Sequence, residues 1–129
     1  MPKPTRQTRQ RAAIRETLLQ HNNPLNPKQI HRLASESHPN LGIATVYRNL
    51  SKMLEDGEIE SVHLPGQMPH YTYPRQKKHA LLFCSESKEV QVLDTEEINI
   101  ELPDIPDHFE CDGYEVVLHG RLKKAITAK

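Results

Sequence analysis

The sequence predicts an α+β chain in two parts, and three observations carry that prediction. Helical apolar spacing recurs three times in the first 57 residues, short β-prone segments follow, and the charge changes sign along the chain. Residues 1–52 hold nine basic side chains against Glu16 and Glu36, a net +7, whereas the remaining 77 residues hold eight basic and fifteen acidic ones, a net −7. A basic portion joined to an acidic one points the first toward a polyanion, of which nucleic acid is the commonest.

The first helix is expected between Thr8 and His21. Ala13, Ile14, Thr17 and Leu18 share one face, Arg9, Arg11, Arg15 and Glu16 take the others, and Asn22-Asn23-Pro24 ends it. A second begins at Asn26-Pro27, where Asn26 can cap and Pro27 fits the first helical position. Ile30, Leu33 and Ala34 form its inner stripe, and His38-Pro39-Asn40 stops it.

The third helix, within Gly42–Gly57, carries two faces. Val46, Leu50, Met53 and Leu54 repeat at core spacing, while Thr45, Arg48, Asn49 and Lys52 repeat on another face rich in hydrogen-bond donors. Gly57 supplies the left-handed stop. Glu58–Leu64 and His70–Tyr73 then read as two strands joined by Pro65-Gly66-Gln67-Met68-Pro69.

Three helices and a β-hairpin are the order of a winged helix-turn-helix, whose third helix enters the major groove. In that setting Arg48 suits guanine, Asn49 suits adenine, Thr45 and Tyr47 suit a thymine methyl group or a phosphate, and Lys52 suits a phosphate. A basic arm over residues 3–11 flanks this helix. The expected DNA-binding domain is 1–74.

Residues 75–78 form a polar linker, and 79–129 form a small α/β dimerisation domain. Its strands are Ala80–Cys84, Glu89–Leu93 and Tyr114–His119. Thr95 can cap a short helix through Glu96, Glu97 and Ile98, which Pro103 and Pro106 keep from extending. A unit of about 50 residues is marginal alone, so a second copy is expected to cover its open side, giving a homodimer.

Other classes are disfavoured. The longest apolar run, Ala80–Cys84, falls far below the roughly 18 residues that cross a bilayer, and the basic N-terminus is not a secretory signal. A cytoplasmic protein with no membrane partner is expected. There is neither a Gly-rich phosphate loop nor a nucleophile motif, and Glu96-Glu97 reads as solvated surface, so no enzyme is expected. The two cysteines, Cys84 and Cys111, are too few for a disulfide framework. His79, Cys84, His108, Cys111 and His119 are the candidate metal ligands, with the local spacing His108-x-x-Cys111. Inert thiols and exposed imidazoles are the competing reading.

The stretch PNLGIATVYRNLSKMLEDGEIESV, Pro39–Val62, together with TRQTRQRAAIRETLL, resembles the ferric uptake regulator family of bacterial metal-responsive repressors. The resemblance implies a winged helix joined to a C-terminal dimerisation domain, and a homodimer reading a roughly palindromic, A·T-rich operator in double-stranded DNA. It places the recognition-helix tyrosine and arginine on Tyr47 and Arg48, and the basic residue that approaches the minor groove on Arg6.

The family's metal equipment does not carry over. The sensory positions hold Pro24, Thr72, His79, Leu81 and Val92, of which only His79 can bind a metal. The zinc knuckle retains Cys84 but has Ser87 as its second member, and the later Cys-x-x-Cys is replaced by Arg121-Leu122-Lys123-Lys124. The expectation is a DNA-binding regulator, in the repressor class, whose metal control is lost or remodelled. The alternatives are a zinc-, iron- or haem-responsive regulator with a rebuilt site, and a winged-helix protein-interaction module.

Overall fold

The computed structural model describes residues 5–74, 79–94 and 99–123. The chain divides into two compact units, Met1–Arg75 and Gln76–Lys129. The linker expected at 75–78 and the short helix expected at Thr95–Ile98 lie outside the described residues.

Unit one holds α1 (Arg6–Gln20), α2 (Pro27–Ala34), α3 (Ile43–Glu55), β1 (Glu60–Val62) and β2 (His70–Thr72). The first helix starts earlier than its apolar spacing indicates. Thr5 is its N-cap, its hydroxyl accepting the Thr8 backbone N–H at 3.0 Å, so Arg6 and Gln7 are helical as well. The polar opening turn of α1 buries nothing, and burial periodicity alone does not reveal it. The second helix begins at Pro27 behind Asn26, as its sequence requires. Asn26 also forms a reciprocal cap with Gln29, at 2.8 and 2.9 Å, worth about 1 kcal/mol.

Ile14, Leu18, Ile30, Ala34, Val46, Leu50, Met53 and Ile59 converge in one buried core, with Leu33 and Leu54 packed partly against it. Each large side chain so buried contributes about 1.5–3 kcal/mol. The third helix ends in a Schellman turn: Glu58 N–H donates to Met53 O at 2.9 Å and Gly57 N–H to Leu54 O at 3.0 Å, with Gly57 at φ +74°. This turn fixes the direction in which the chain leaves α3, and hence where Glu58 stands.

The wing is shorter than its β-prone sequence, with Glu60, Ser61 and Val62 opposite Thr72, Tyr71 and His70. Leu25 adds an antiparallel bridge to Tyr71 through hydrogen bonds of 3.0 and 2.7 Å. The segment between α1 and α2 thereby edges the wing.

Unit two is a three-stranded sheet in the order β4-β3-β5, with β3 (His79–Cys84), β4 (Val90–Asp94) and β5 (Val117–Gly120). The outer strand β4 runs antiparallel and β5 parallel to the central β3. The last strand begins three residues later than expected, because pairing with β3 opens with Leu81 N–H to Val116 O at 2.8 Å. Among the described residues, no helix is long and apolar enough to cross a membrane.

Candidate nucleic-acid interface

Two helices of unit one make a polar groove of about 560 Å³, lined by Arg6, Gln7, Thr8, Gln10 and Arg11 of α1 and by Thr45, Arg48, Asn49 and Lys52 of α3. Among the described residues, no acidic side chain lines it. Five of the six residues expected to meet DNA therefore stand together: Arg6, Thr45, Arg48, Asn49 and Lys52. The Arg48 guanidinium donates to the Thr45 hydroxyl at 2.9 Å, and Asn49 Nδ2 donates to Thr45 O at 2.9 Å. These bonds orient both side chains along one face of α3.

Tyr47 is the exception. At about 100° per residue, it lies roughly 100–160° around α3 from the other four. It is 44% exposed, and its phenol adds a little to the upward push that burial gives the Tyr71 phenol of the wing. Ile43, one turn earlier on the same flank, is also exposed.

Gln7, Thr8 and Gln10 join the groove although sequence reasoning did not single them out. Their signal was the Thr5-x-x-Thr8 cap, which makes the segment helical and gives it a face.

Arg11 and Arg15 differ from the other basic residues. Arg11 Nη2 lies 2.9 Å from Asp56 Oδ2 and 2.8 Å from Glu58 Oε1, while Arg15 holds Glu58 Oε2 through Nε and Oε1 through Nη2. Tyr73 donates its hydroxyl to Glu58 Oε2 at 3.0 Å. The Arg15 guanidinium, with Arg11 and Tyr73, holds the Glu58 carboxyl down at about 2 against the opposing cost of burial. Burial and the Glu58 carboxylate push the Tyr73 phenol up to about 12. Part of the basic surplus at the N-terminus is thus neutralised by acids just beyond residue 52. Arg6, Arg9, Lys28, Arg32, Arg48 and Lys52 remain exposed and outside any ion pair among the described residues.

The five candidate metal ligands do not converge. His79 and Cys84 are separated by five residues of strand, about 16 Å, and side-chain alternation sends them to opposite faces of the sheet. His119 stands beside Phe83 in register and meets its ring edge-on at 5.9 Å, so it shares the Phe83 face and not that of Cys84. His108 and Cys111 are exposed, and the Cys111 thiol donates to Gly113 O at 3.4 Å. Among the described residues no three His, Cys, Asp or Glu come close enough to hold an ion.

Cys84 itself is buried, and its sulfur accepts backbone N–H groups from Ser87 at 3.4 Å and Leu122 at 3.5 Å. Hydrogen bonding to Ser87, followed by the backbone donors, draws its thiol down to about 7. Those donors stabilise a thiolate, but Ser87 and Arg121 supply no further soft ligands. The residues here do not fit a four-coordinate zinc.

Comparison with known proteins places this geometry in context. The sequence profile of the Ferric uptake regulator family matches residues 3–119. The Ferric uptake regulation protein of Staphylococcus epidermidis is 31% identical over 87 residues, which take in 65% of this chain and 63% of that protein. The match therefore spans less than two thirds of that relative. In fold, the chain is similar to a zinc-bound manganese uptake regulator, with a TM-score of 0.74 and 18% identity over 92% of each chain. It is also similar to the Helicobacter pylori ferric uptake regulator Fur, a protein with three functional metal-binding sites. That likeness has a TM-score of 0.67 and 16% identity, covering 89% of this chain and 78% of the other.

Proposed function

The chain belongs to the ferric uptake regulator family, whose members are transcription regulators and not enzymes, and from that premise we propose that it binds an operator in double-stranded DNA as a homodimer, with metal control lost or remodelled. One observation carries the reading: the groove between α1 and α3 gathers Arg6, Arg48 and Lys52 with Thr45 and Asn49, with no acid among the described residues that line it. In the proposed complex α3 enters the major groove. Arg48 reads a guanine edge, Asn49 an adenine edge, and Lys52 and Arg6 neutralise phosphates. Tyr47 meets a thymine methyl group or a phosphate on the other side of the helix.

The homodimer is supported by unit two. Leu93, Leu102, Phe109, Tyr114, Leu118 and Leu122 are all exposed there, more apolar surface than a sheet of this size leaves to water unless a second copy covers it. Loss of the inherited metal control is supported by the apolar side chains Pro24, Leu81 and Val92 at sensory positions and by Ser87 and Arg121 at zinc positions. Repression follows from the same reading, since a dimer seated on an operator excludes other proteins from it.

Selection from a random duplex pool tests this function. Enrichment of a two-fold-related sequence bound by the parent protein, and lost in Arg48→Ala, is the expected result. A pool that shows no enrichment would instead favour a winged helix used to bind protein.

A further inference from the structure

We propose that Glu58, assisted by Asp56, is a positioning residue for DNA binding: its carboxylate clasps two turns of α1 and thereby sets the groove in which Arg6 faces Arg48 and Lys52. The proposal rests on the DNA-binding reading above. It adds an acidic residue that touches no nucleic acid and that a count of charges would place among the inhibitors of binding.

The clasp joins four pieces of chain. Arg11 and Arg15 come from successive turns of α1, Asp56 caps the end of α3, Glu58 follows the Schellman turn at the root of the wing, and Tyr73 leaves the second wing strand at that same root. The Schellman bonds of Gly57 and Glu58 fix the carboxylate relative to α3, and the two guanidiniums fix α1 relative to the carboxylate. Arg11 both lines the groove and belongs to the clasp.

Arg6 lies five residues before Arg11, about 7.5 Å along the helix axis. Beyond the core contacts of Ala13, Ile14, Thr17 and Leu18, the opening turns of α1 bury no side chain. Among the described residues the clasp therefore ties this part of α1 to α3 and the wing, and a small rotation of α1 about it changes the distance from Arg6 to Arg48 and Lys52.

Charge and position predict opposite signs. Glu58→Gln removes a negative charge beside a polyanion site, so electrostatics alone tightens binding. Loss of positioning weakens it. The experiment measures dissociation constants of the full-length parent, Arg48→Ala, Glu58→Gln and Asp56→Asn for the duplex selected by the parent. It is run far below each protein's unfolding midpoint, with circular dichroism confirming the folded state.

Glu58→Gln is expected to bind about tenfold more weakly than the parent. Asp56→Asn, at a side chain 54% exposed, is expected to change in the same direction by a smaller factor and keeps the test usable if Glu58→Gln does not fold. Equal or tighter binding by a folded Glu58→Gln, or by Asp56→Asn when only that variant folds, overturns the proposal. If the parent selects no duplex, the DNA-binding reading fails instead, and the positioning role fails with it. A parent that binds and an Arg48→Ala that does not leave the effect of Glu58 to be read by itself.

Discussion

Replacing Glu58 by Gln also isolates the contribution of the ion cluster to stability. The Glu58 carboxyl is held at about 2 rather than the usual 4.5, chiefly by Arg15, then by Arg11 and Tyr73. At about 1.36 kcal/mol per pH unit, an unscreened shift of that size amounts to about 3.4 kcal/mol. Glu58 is 20% exposed and its partners Arg11 and Arg15 are 26% and 40% exposed, so solvent screening reduces the contribution to about 1–2 kcal/mol. The sign follows from the depressed value. The folded state holds fewer protons than the unfolded state between 4.5 and about 2, so the stabilisation is complete above pH 5 and is lost as the pH falls through 2. By linkage, about two fifths of it remains at pH 3. Urea titration of the parent and Glu58→Gln at pH 7 and pH 3 should therefore show a difference in stability that shrinks by more than half. A difference equal at both values would refute the ionic account and assign the loss to packing.

Further outcomes follow from other parts of the molecule. Arg48→Ala should weaken binding of the selected duplex by about 1–3 kcal/mol and relax specificity at one base pair, whereas Lys52→Ala should weaken all sequences alike and lower the salt slope by about one, both read by fluorescence anisotropy. His70 is fully buried in the wing, its Nε2 without a hydrogen-bond partner among the described residues, and burial lowers its ring pKa, so the neutral form stabilises the fold above 6.5 and that contribution falls away below it. Thermal unfolding at pH 7 and pH 5 should accordingly show a smaller acid loss in His70→Gln than in the parent. In a Cys111→Ser background, thiolate absorbance of Cys84 should titrate near 7, and Ser87→Ala should move that midpoint upward.

The helical core was legible because its burial is periodic: Ile14, Leu18, Ile30, Val46, Leu50 and Met53 are buried at positions read from spacing alone. Asn26 and Gly57 were legible for a different reason, since a cap and a left-handed stop require particular side chains. What escaped was polar and long-range. The opening turn of α1 has no apolar residue to announce it, and the Arg11–Glu58 contact spans 47 positions with no periodicity to link them. Counting charge by segment therefore overstated the free basic surface. The separate face of Tyr47 was legible in the same way as the core, since helical spacing excludes it from the row of Thr45, Arg48, Asn49 and Lys52. For the metal candidates, residue type, the His108-x-x-Cys111 spacing and the resemblance brought five residues into view, and strand alternation separates Cys84 from His79 and His119.

The central claim is DNA binding without the inherited metal control, and the most direct test is the affinity of the protein for its selected duplex before and after excess EDTA. The same dissociation constant is expected in both, with the steep fall at higher salt that phosphate contacts impose. Binding abolished by EDTA and restored by zinc or iron would contradict it.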